Sequence, residues 1–280
     1  MTSVFRPDLY AGSVAVITGG GSGIGFGIAS LLHSLGATVV IASRNAERLE
    51  AAAAKLREAG GTGSVHIAPL DVRDQEGVKG TMARIAEAHG RIDLLVNNAA
   101  GNFYVPSEQM SPNAWRAVLD IDLSGTFFCT QAVFPYMQRA GGGNVINISM
   151  TLHYRGWPMM AHATAAKAGI DALTRTLAVE WARHNIRVNA IAPGPIPTEG
   201  VRKAFTPPGG SGAADVFAVQ RAMGDYAKQT IPLGRWGDPA DIANAVAFLA
   251  SNAGSWITGA ILVVDGGEWL WKPQMSGAGA

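Results

Sequence analysis

Apolar segments alternate with helical segments along almost the whole chain, and this alternation restricts the fold more than any other feature. Seven segments have the nearly continuous apolar character of a strand that is buried on both faces: residues 14–18, 37–43, 65–72, 92–99, 144–149, 186–193 and 260–267. Most of the segments between them carry helical patterns. This arrangement is typical of parallel strands joined by helices that cover both faces of one sheet.

The pattern predicts one α/β domain over residues 1–280, built on a single Rossmann-type, doubly wound parallel sheet with helices on both faces. A chain of 280 residues is long enough to bury such a sheet. Long helical patterns cover residues 112–139 and 162–183, and both carry apolar side chains on more than one face. The segment 194–228, which contains PGPIP and TPPGGSGAA, breaks the rhythm, and we expect it to form a substrate lid.

Composition argues against several classes of function. The 22 basic and 21 acidic side chains nearly balance, which gives no indication of binding to nucleic acid or to an anionic membrane. Cys129 is the only cysteine, so an internal disulfide is impossible, and the histidines and carboxylates lack metal-ligand spacing. No apolar run approaches the roughly 20 residues of a membrane span. The N-terminus lacks a secretory pattern and the C-terminal SGAGA is not a peroxisomal signal, so we expect a cytoplasmic protein.

A glycine-rich turn follows the first predicted strand, at the point where a dinucleotide would bind. Its sequence is Thr18-Gly19-Gly20-Gly21-Ser22-Gly23-Ile24-Gly25. Glycines let the backbone approach a pyrophosphate, and the N-terminus of the following helix supplies unpaired N–H groups and a favourable dipole. Glycines also form ordinary tight turns, so the position of the motif between a strand and a helix is what makes it informative.

The end of the second strand predicts which dinucleotide is bound. Ser43-Arg44-Asn45 stands where an acidic residue would bind the ribose 2′-hydroxyl of NAD(H). A guanidinium suits a 2′-phosphate through charge-assisted hydrogen bonds, so we expect NADP(H). The alternative is that Arg44 is a solvated surface charge. Asp71, at the end of the third strand, could accept from the adenine amino group or cap a helix.

These motifs and several spacings resemble the short-chain dehydrogenase/reductase superfamily over essentially the whole chain. They are the glycine-rich turn, Asp71-Val72, Asn97-Asn98-Ala99-Ala100-Gly101, Lys167 and Pro193-Gly194. The resemblance implies a Rossmann-type fold and a nicotinamide dinucleotide. The implied binding residues are Thr18, Gly19, Gly21, Ser22, Gly23, Ile24, Ser43, Arg44, Asp71, Val72, Asn98, Ala99, Ala100, Lys167, Pro193, Gly194 and Ile196.

A narrower set of segments resembles the 2,4-dienoyl-CoA reductases, and most closely their peroxisomal type. The segments are Phe5-Arg6-Pro7-Asp8-Leu9, Ala100-Gly101-Asn102-Phe103, Asp120-Ile121-Asp122, Pro193-Gly194-Pro195-Ile196, Thr198-Glu199-Gly200, Asp265-Gly266-Gly267 and Trp269. The resemblance implies NADPH-dependent reduction of a 2,4-dienoyl-CoA in the degradation of unsaturated fatty acids, with an acyl-CoA as substrate. It also implies a homotetramer assembled through the helices of residues 112–139 and 162–183.

The usual carbonyl-reducing site of the superfamily is altered at three of its four positions. Lys167 is present, but Ala163 replaces the tyrosine that lies four residues earlier on the same helix face. Met150 stands at the serine position and Asp122 at the asparagine position. The pattern argues against an ordinary ketone reductase, because no phenol lies beside Lys167 to protonate a developing alkoxide.

The peroxisomal-type reductases also lack this tyrosine and keep the lysine, so the resemblance implies another proton route. Asp122 and Asp265 would hold the water that protonates a dienolate. Lys167 would bind the nicotinamide ribose, and Asn102 would donate to the thioester oxygen. Simpler interpretations stay open: Asp122 as a solvated or capping carboxylate, Asp265 and Asn102 as turn residues, and Lys167 as a surface lysine. Tyr154 is offset by two residues from the catalytic tyrosine of the mitochondrial type.

Two rival functions therefore remain. One is a short-chain reductase of another substrate, in which Tyr154 replaces the missing tyrosine. The other is a catalytically silent NADP(H)-binding protein, against which the retention of Lys167 beside Asp122 argues.

Overall fold

The computed structural model describes residues 4–198 and 223–271, and in this part of the chain seven parallel strands form one sheet. The strands are β1 (Val14–Thr18), β2 (Thr38–Ser43), β3 (Val65–Pro69), β4 (Leu94–Asn97), β5 (Gly143–Ile148), β6 (Ile186–Pro193) and β7 (Ile261–Val264). Their order is β3-β2-β1-β4-β5-β6-β7, so the strand order reverses direction between β1 and β4. This is the predicted Rossmann-type, doubly wound fold.

Helices cover both faces of the sheet, as predicted, and each face has its own hydrophobic core. The helices are α1 (Gly23–Ser34), α2 (Ala46–Glu58), α3 (Gln75–His89), α4 (Pro112–Leu119), α5 (Gly125–Arg139), α6 (Ala161–Trp181) and α7 (Pro239–Ala250). One core joins α1, α2 and α7 to strand residues such as Ile17 and Ile41. The other joins α3, α5 and α6 to Val16 and Val40. Neighbouring strand residues thus face opposite cores, which explains why the strands are continuously apolar.

Three strands end earlier than the sequence pattern predicts, and all three do so at their carboxyl ends. The predicted segments extend to residues 72, 99 and 267, whereas β3, β4 and β7 end at Pro69, Asn97 and Val264. The apolar character continues beyond the ladder because the chain leaves the sheet and lines a cavity there, for example at Leu70, Val72 and Ala99.

The predicted helix over residues 112–139 is interrupted by a π-helical turn. Asp120–Ser124 forms this turn between α4 and α5. A π-helical turn accommodates one extra residue, and such turns are frequent at functional sites. Asp122 lies in it and is only 2% exposed, although its neighbour Asp120 is exposed.

The helical run Pro112–Arg139 is also long and apolar enough to cross a membrane, judged by length and composition alone. Core helices have the same properties, and Cys129 and Val133 of this run are fully buried in the core of the fold. Most of the predicted lid, 194–228, falls outside the described residues. Residues 223–230 are helical, and Ala227 among them is buried.

Candidate active site

A cavity of about 1120 Å³ lies at the carboxyl ends of the strands. It extends from the glycine-rich turn and the end of β2 to Lys167 of α6 and the segment after β6. Doubly wound sheets bind ligands at this edge, beside the point where the strand order reverses. Every residue predicted to bind the dinucleotide lines this cavity except Thr18.

The glycine-rich turn has the geometry that a pyrophosphate requires. Helix α1 begins at Gly23, and the side chain of its N-cap residue Ser22 makes no hydrogen bond to the first turn. The first N–H groups of the helix therefore remain available to an anion. A Cβ atom at Gly25 would lie 2.5 Å from the carbonyl oxygen of Gly19, so the turn can close this tightly only with glycine there.

Thr18 acts behind the cavity wall rather than in it. Its Oγ1 accepts hydrogen bonds from the backbone N–H groups of Asn98 and Ala99, each at 3.0 Å. The side-chain amide of Asn98 donates in return to the carbonyl oxygens of Thr18 and Gly19, at 3.0 and 3.3 Å. These bonds join the ends of β1 and β4 and hold the glycine-rich turn against the loop after β4.

The end of β2 presents groups that fit a phosphorylated or hydroxylated ribose. Arg44 is exposed and lines the cavity together with Arg48 of α2, which the sequence analysis missed. The Oγ of Ser43 is buried and has no hydrogen-bond partner among the described residues. Arg48 lies in the first turn of α2, which begins two residues after Arg44. Two guanidinium groups and a buried hydroxyl suit an anionic, hydrogen-bonding ligand group.

Asp71 is already paired within the protein. Its carboxylate accepts from Nε and Nη2 of Arg73, at 3.0 and 2.6 Å. These side-chain hydrogen bonds hold the pKa of Asp71 below its usual value. Helix α3 is capped by Asp74 and not by Asp71, which removes the helix-cap interpretation of Asp71.

Asp122 and Lys167 form a buried ion pair beside the cavity. Lys167 Nζ lies 3.5 Å from Asp122 Oδ2 and donates to the carbonyl oxygen of Ile148 at 2.8 Å. Asp122 Oδ1 accepts from the backbone N–H of Gly101 at 2.8 Å. Burial raises the pKa of Asp122, and the Lys167 ammonium opposes this shift. Lys167 lines the cavity and Asp122 lies behind it, so the solvated and capping interpretations of Asp122 do not fit.

The position of the missing tyrosine is occupied by apolar packing. Ala163 is 1% exposed and belongs to a small cluster with Val118 and Met160. Met150 and Leu152 pack against this cluster and also line the cavity. No phenol or serine hydroxyl therefore stands at the two altered positions 163 and 150.

Comparison with known proteins identifies the family. Residues 19–268 match the family model described as Enoyl-(Acyl carrier protein) reductase. A Danio rerio protein named peroxisomal 2,4-dienoyl-CoA reductase [(3E)-enoyl-CoA-producing] is 46% identical over 270 residues, which cover 96% of this chain and 85% of the relative. This chain is a short-chain dehydrogenase/reductase. It is therefore an oxidoreductase that uses a nicotinamide cofactor.

Further relatives of this short-chain dehydrogenase/reductase agree with the assignment. A Bacillus subtilis (strain 168) protein named probable 2,4-dienoyl-CoA reductase [(2E)-enoyl-CoA-producing] is 40% identical, with 91% of this chain and 96% of the relative covered. A short chain dehydrogenase from Bacillus anthracis is 39% identical with a TM-score of 0.79, over 94% of this chain and 99% of that one. L-Sorbose reductase from Gluconobacter frateurii, complexed with NADPH and L-sorbose, is 28% identical with a TM-score of 0.87, over 94% and 99%.

Two predicted catalytic residues of this reductase differ in their placement. Asn102 lines the cavity directly after Gly101. Asp265 does not line it, and its two carboxylate oxygens accept from the backbone N–H groups of Gly267 and Trp269, both at 2.8 Å. Gly266 and Gly267 have positive φ angles of 67° and 87°, as a tight turn requires. The contacts of Asp265 are those of a turn residue, which was the alternative interpretation.

Tyr154 belongs to a second polar cluster of the reductase, outside the cavity wall. Its hydroxyl donates to Asp171 Oδ2 at 3.5 Å, and the same oxygen lies 2.9 Å from His153 Nε2. Ser149, which lines the cavity, donates to the other oxygen of Asp171 at 2.6 Å. Burial and then the nearby Asp171 carboxylate raise the pKa of Tyr154 to about 12. These contacts disfavour Tyr154 as a proton donor to a ligand.

The lining of the reductase cavity includes further residues that the sequence analysis missed. They are Tyr104, Trp157, Tyr226, Trp236 and Glu268. They come from five loops or short helical segments spread over the sequence, so no local motif indicates them. Within residues 4–198 and 223–271, no group of three or more His, Cys, Asp or Glu side chains is placed to hold a metal ion.

Proposed function

We propose that the protein reduces a 2,4-dienoyl-CoA with NADPH, as a step in the degradation of unsaturated fatty acids. The observation that carries the proposal is the buried Asp122–Lys167 pair beside a cavity with no phenol at position 163. Such a site suits protonation of a delocalised dienolate better than protonation of an alkoxide. The names of the curated relatives support the same substrate class.

Each residue then has a defined task. A bound NADPH supplies the hydride that is added to the far end of the conjugated thioester. Asn102 donates a hydrogen bond to the thioester oxygen, where negative charge collects. Lys167 binds the nicotinamide ribose and is held in place by Asp122 and the Ile148 carbonyl. Asp122 is the proposed proton source for the water that protonates the dienolate carbon, and burial favours its protonated form by raising its pKa.

A direct assay tests this function. The purified protein is mixed with NADPH and a 2,4-dienoyl-CoA, and the loss of NADPH absorbance is followed. We expect consumption with the dienoyl-CoA and none with simple ketones or sugars. Consumption with ketones alone would favour a different reductase. Tight NADPH binding without turnover of any of these compounds would favour a catalytically silent binding protein.

We further propose that NADP(H) is the preferred dinucleotide, held at the end of β2 by Arg44 and supported by Arg48. NADPH should bind at least tenfold more tightly than NADH, which corresponds to about 1.4 kcal/mol. Arg44→Ala should remove most of this difference, because a guanidinium pairs with the 2′-phosphate that only NADPH carries. Titration calorimetry on wild type, Arg44→Ala and the exposed control Arg183→Ala measures the effect. Equal dissociation constants for the two dinucleotides in the wild type would contradict the proposal.

We propose that the chain forms one domain and assembles as a homotetramer. Among the apolar residues of these two helices, Leu177 is buried in its own chain's core, whereas Phe127 of α5 remains 37% exposed. Val179 of α6 is 81% exposed, and burial of both against another chain would stabilise an assembly. Light scattering should report a particle of four chains. A particle of one chain, 29.1 kDa, at micromolar concentration would rule the tetramer out.

A cytoplasmic location also stays a proposal. Several curated relatives are named peroxisomal, which describes those proteins and not this one. Microscopy of the full chain with an internal tag decides between the two compartments.

A further inference from the structure

Glu268 is a buried acid that the proposed mechanism does not use. It begins the short 3₁₀ segment Glu268–Leu270 after β7, is only 4% exposed and lines the cavity. Its Oε1 pairs with Nη2 of Arg155, whose Nη1 donates to the carbonyl oxygen of Trp271 at 3.2 Å. Its Oε2 is buried and has no hydrogen-bond partner among residues 4–198 and 223–271. A buried carboxylate oxygen is costly to leave without a donor.

Several aromatic residues that belong to no dinucleotide motif line the same cavity as Glu268. They are Tyr226 and Trp236, with Trp157 and Tyr104 from the loops after β5 and β4. Burial raises the pKa of Tyr226, and the negative charge of Glu268 adds to this rise. The tyrosine and the acid therefore share one environment. A ligand bound in the cavity is a candidate source of the donor that Oε2 lacks.

The charge balance of the site specifies the chemistry of that donor. Arg155 already neutralises Glu268, so a cationic group would leave an unbalanced positive charge and an anionic group would be repelled by Oε2. An uncharged N–H or O–H group satisfies the oxygen without either cost. An unsubstituted acyl chain has no such group, whereas the amides of the thioester carrier arm and a hydroxyl on the acyl chain both provide one.

We propose that Glu268 is a specificity-determining residue that accepts a hydrogen bond from an uncharged N–H or O–H donor of the substrate. The proposal rests on the proposed function, because it takes the ligand to be an acyl thioester. The donor is either an amide of the carrier arm or a hydroxyl on the acyl chain.

Three ligands distinguish these two sources of the donor. They are a dienoyl-CoA, the corresponding dienoyl S-alkyl thioester without amides, and that S-alkyl thioester with a hydroxyl at the far end of its acyl chain. Dissociation constants are measured in the presence of NADP⁺ by quenching of tryptophan fluorescence, since Trp157 and Trp236 line the same cavity. The variant is Glu268→Gln, whose amide presents a donor to the ligand when its oxygen pairs with Arg155. Glu180→Gln, on the exposed face of α6, is the matched control.

We expect Glu268→Gln to weaken binding of a donor-bearing ligand about tenfold and to leave the plain alkyl thioester unchanged. If binding of the dienoyl-CoA is weakened, the donor is on the carrier arm. If binding of the hydroxylated alkyl thioester is weakened, the donor is on the acyl chain. Equal effects on all three ligands, or none, overturn the proposal. An unchanged NADP⁺ dissociation constant shows that the variant is folded. If Glu268→Gln does not fold, Glu268→Asp, which withdraws the carboxylate by one methylene, gives the same comparison.

The proposed function fails in a different way. It fails if the wild type does not reduce the dienoyl-CoA, whatever the binding results are. A dienoyl-CoA that is reduced at equal KM by wild type and Glu268→Gln upholds the function and overturns the carrier-arm donor. In that case, only weaker binding of the hydroxylated alkyl thioester to Glu268→Gln can still support the proposed role of Glu268.

Discussion

Replacing Asp122 by alanine is expected to lower kcat for a dienoyl-CoA by at least about 10²-fold, the usual scale for losing an acid–base group. The substitution removes the carboxylate that lies 3.5 Å from Lys167 Nζ and accepts from the Gly101 N–H. Stopped-flow measurement with saturating NADPH isolates this loss in kcat. Asp122→Asn should also be poor, because its amide oxygen can accept from Gly101 but cannot take up or relay a proton.

The contacts of Asp122 change one expectation that rests on the family resemblance. The resemblance places Asp122 on the substrate side, where its loss would change NADPH affinity little, but the residue lies behind Lys167 and positions it. A moderate loss of NADPH affinity should therefore accompany Asp122→Ala and be smaller in Asp122→Asn. Restoring tyrosine at Ala163 should not rescue activity. The position is packed against Val118 and Met160, and a phenol there suits an alkoxide.

Other outcomes of these measurements would identify a different residue as the proton donor. Near-normal kcat in Asp122→Ala, together with loss of activity in Tyr154→Phe, would make Tyr154 the donor despite its bond to Asp171. Activity in both variants would make Asp265 the next candidate. Because Asp265 accepts from two backbone N–H groups, its alanine variant must also be tested for thermal stability.

Gly25→Ala is expected to weaken dinucleotide binding by roughly 100-fold or more, about 2.7 kcal/mol. Its Cβ would lie 2.5 Å from both Gly19 O and Asn98 Nδ2, and the first of these is backbone that cannot rotate away. The glycine-rich turn must therefore move from the position that receives the pyrophosphate. Fluorescence titration with NADPH measures the loss, and a melting curve measures any accompanying change in stability.

Gly80→Ala is the matched control for this prediction. Gly80 lies within α3, and an added Cβ would meet only the end of the Arg84 side chain at 3.5 Å. Replacing a glycine inside a helix by alanine typically stabilises it by roughly 0.5–1 kcal/mol. NADPH affinity should stay at the wild-type value. Wild-type affinity in a folded Gly25→Ala variant would show that the turn tolerates a side chain.

The sequence was informative wherever structure depends on neighbouring residues or on burial. Strands could be predicted because both faces of the sheet are buried, and the glycine-rich turn because its shape is local. The Asp-Gly-Gly turn at Asp265 also had a local signal, and its geometry matches that signal better than the catalytic role implied by family resemblance. The strands and helices, and the end of the cavity that binds the cofactor, could thus largely be predicted from the sequence.

The rest of the site depends on tertiary contacts that no short pattern contains. The Asp122–Lys167 pair joins α6 to a turn between two other helices, and its burial follows from packing. Glu268 and Arg155 come together only when the end of β7 lies beside the loop after β5.

The extra residue in the π-helical turn Asp120–Ser124 sets the rotational phase of everything after it. Each residue of an α-helix advances the chain by about 100°, so the two ends of the run Pro112–Arg139 are out of phase by that angle relative to an uninterrupted helix. α4 and α5 can thus direct different sets of side chains toward different neighbours although they form one continuous helical run. Deleting one residue between Asp120 and Ser124 would restore a regular helix and remove this rotation between α4 and α5. The turn therefore works as a fixed angular offset between two halves of one helix.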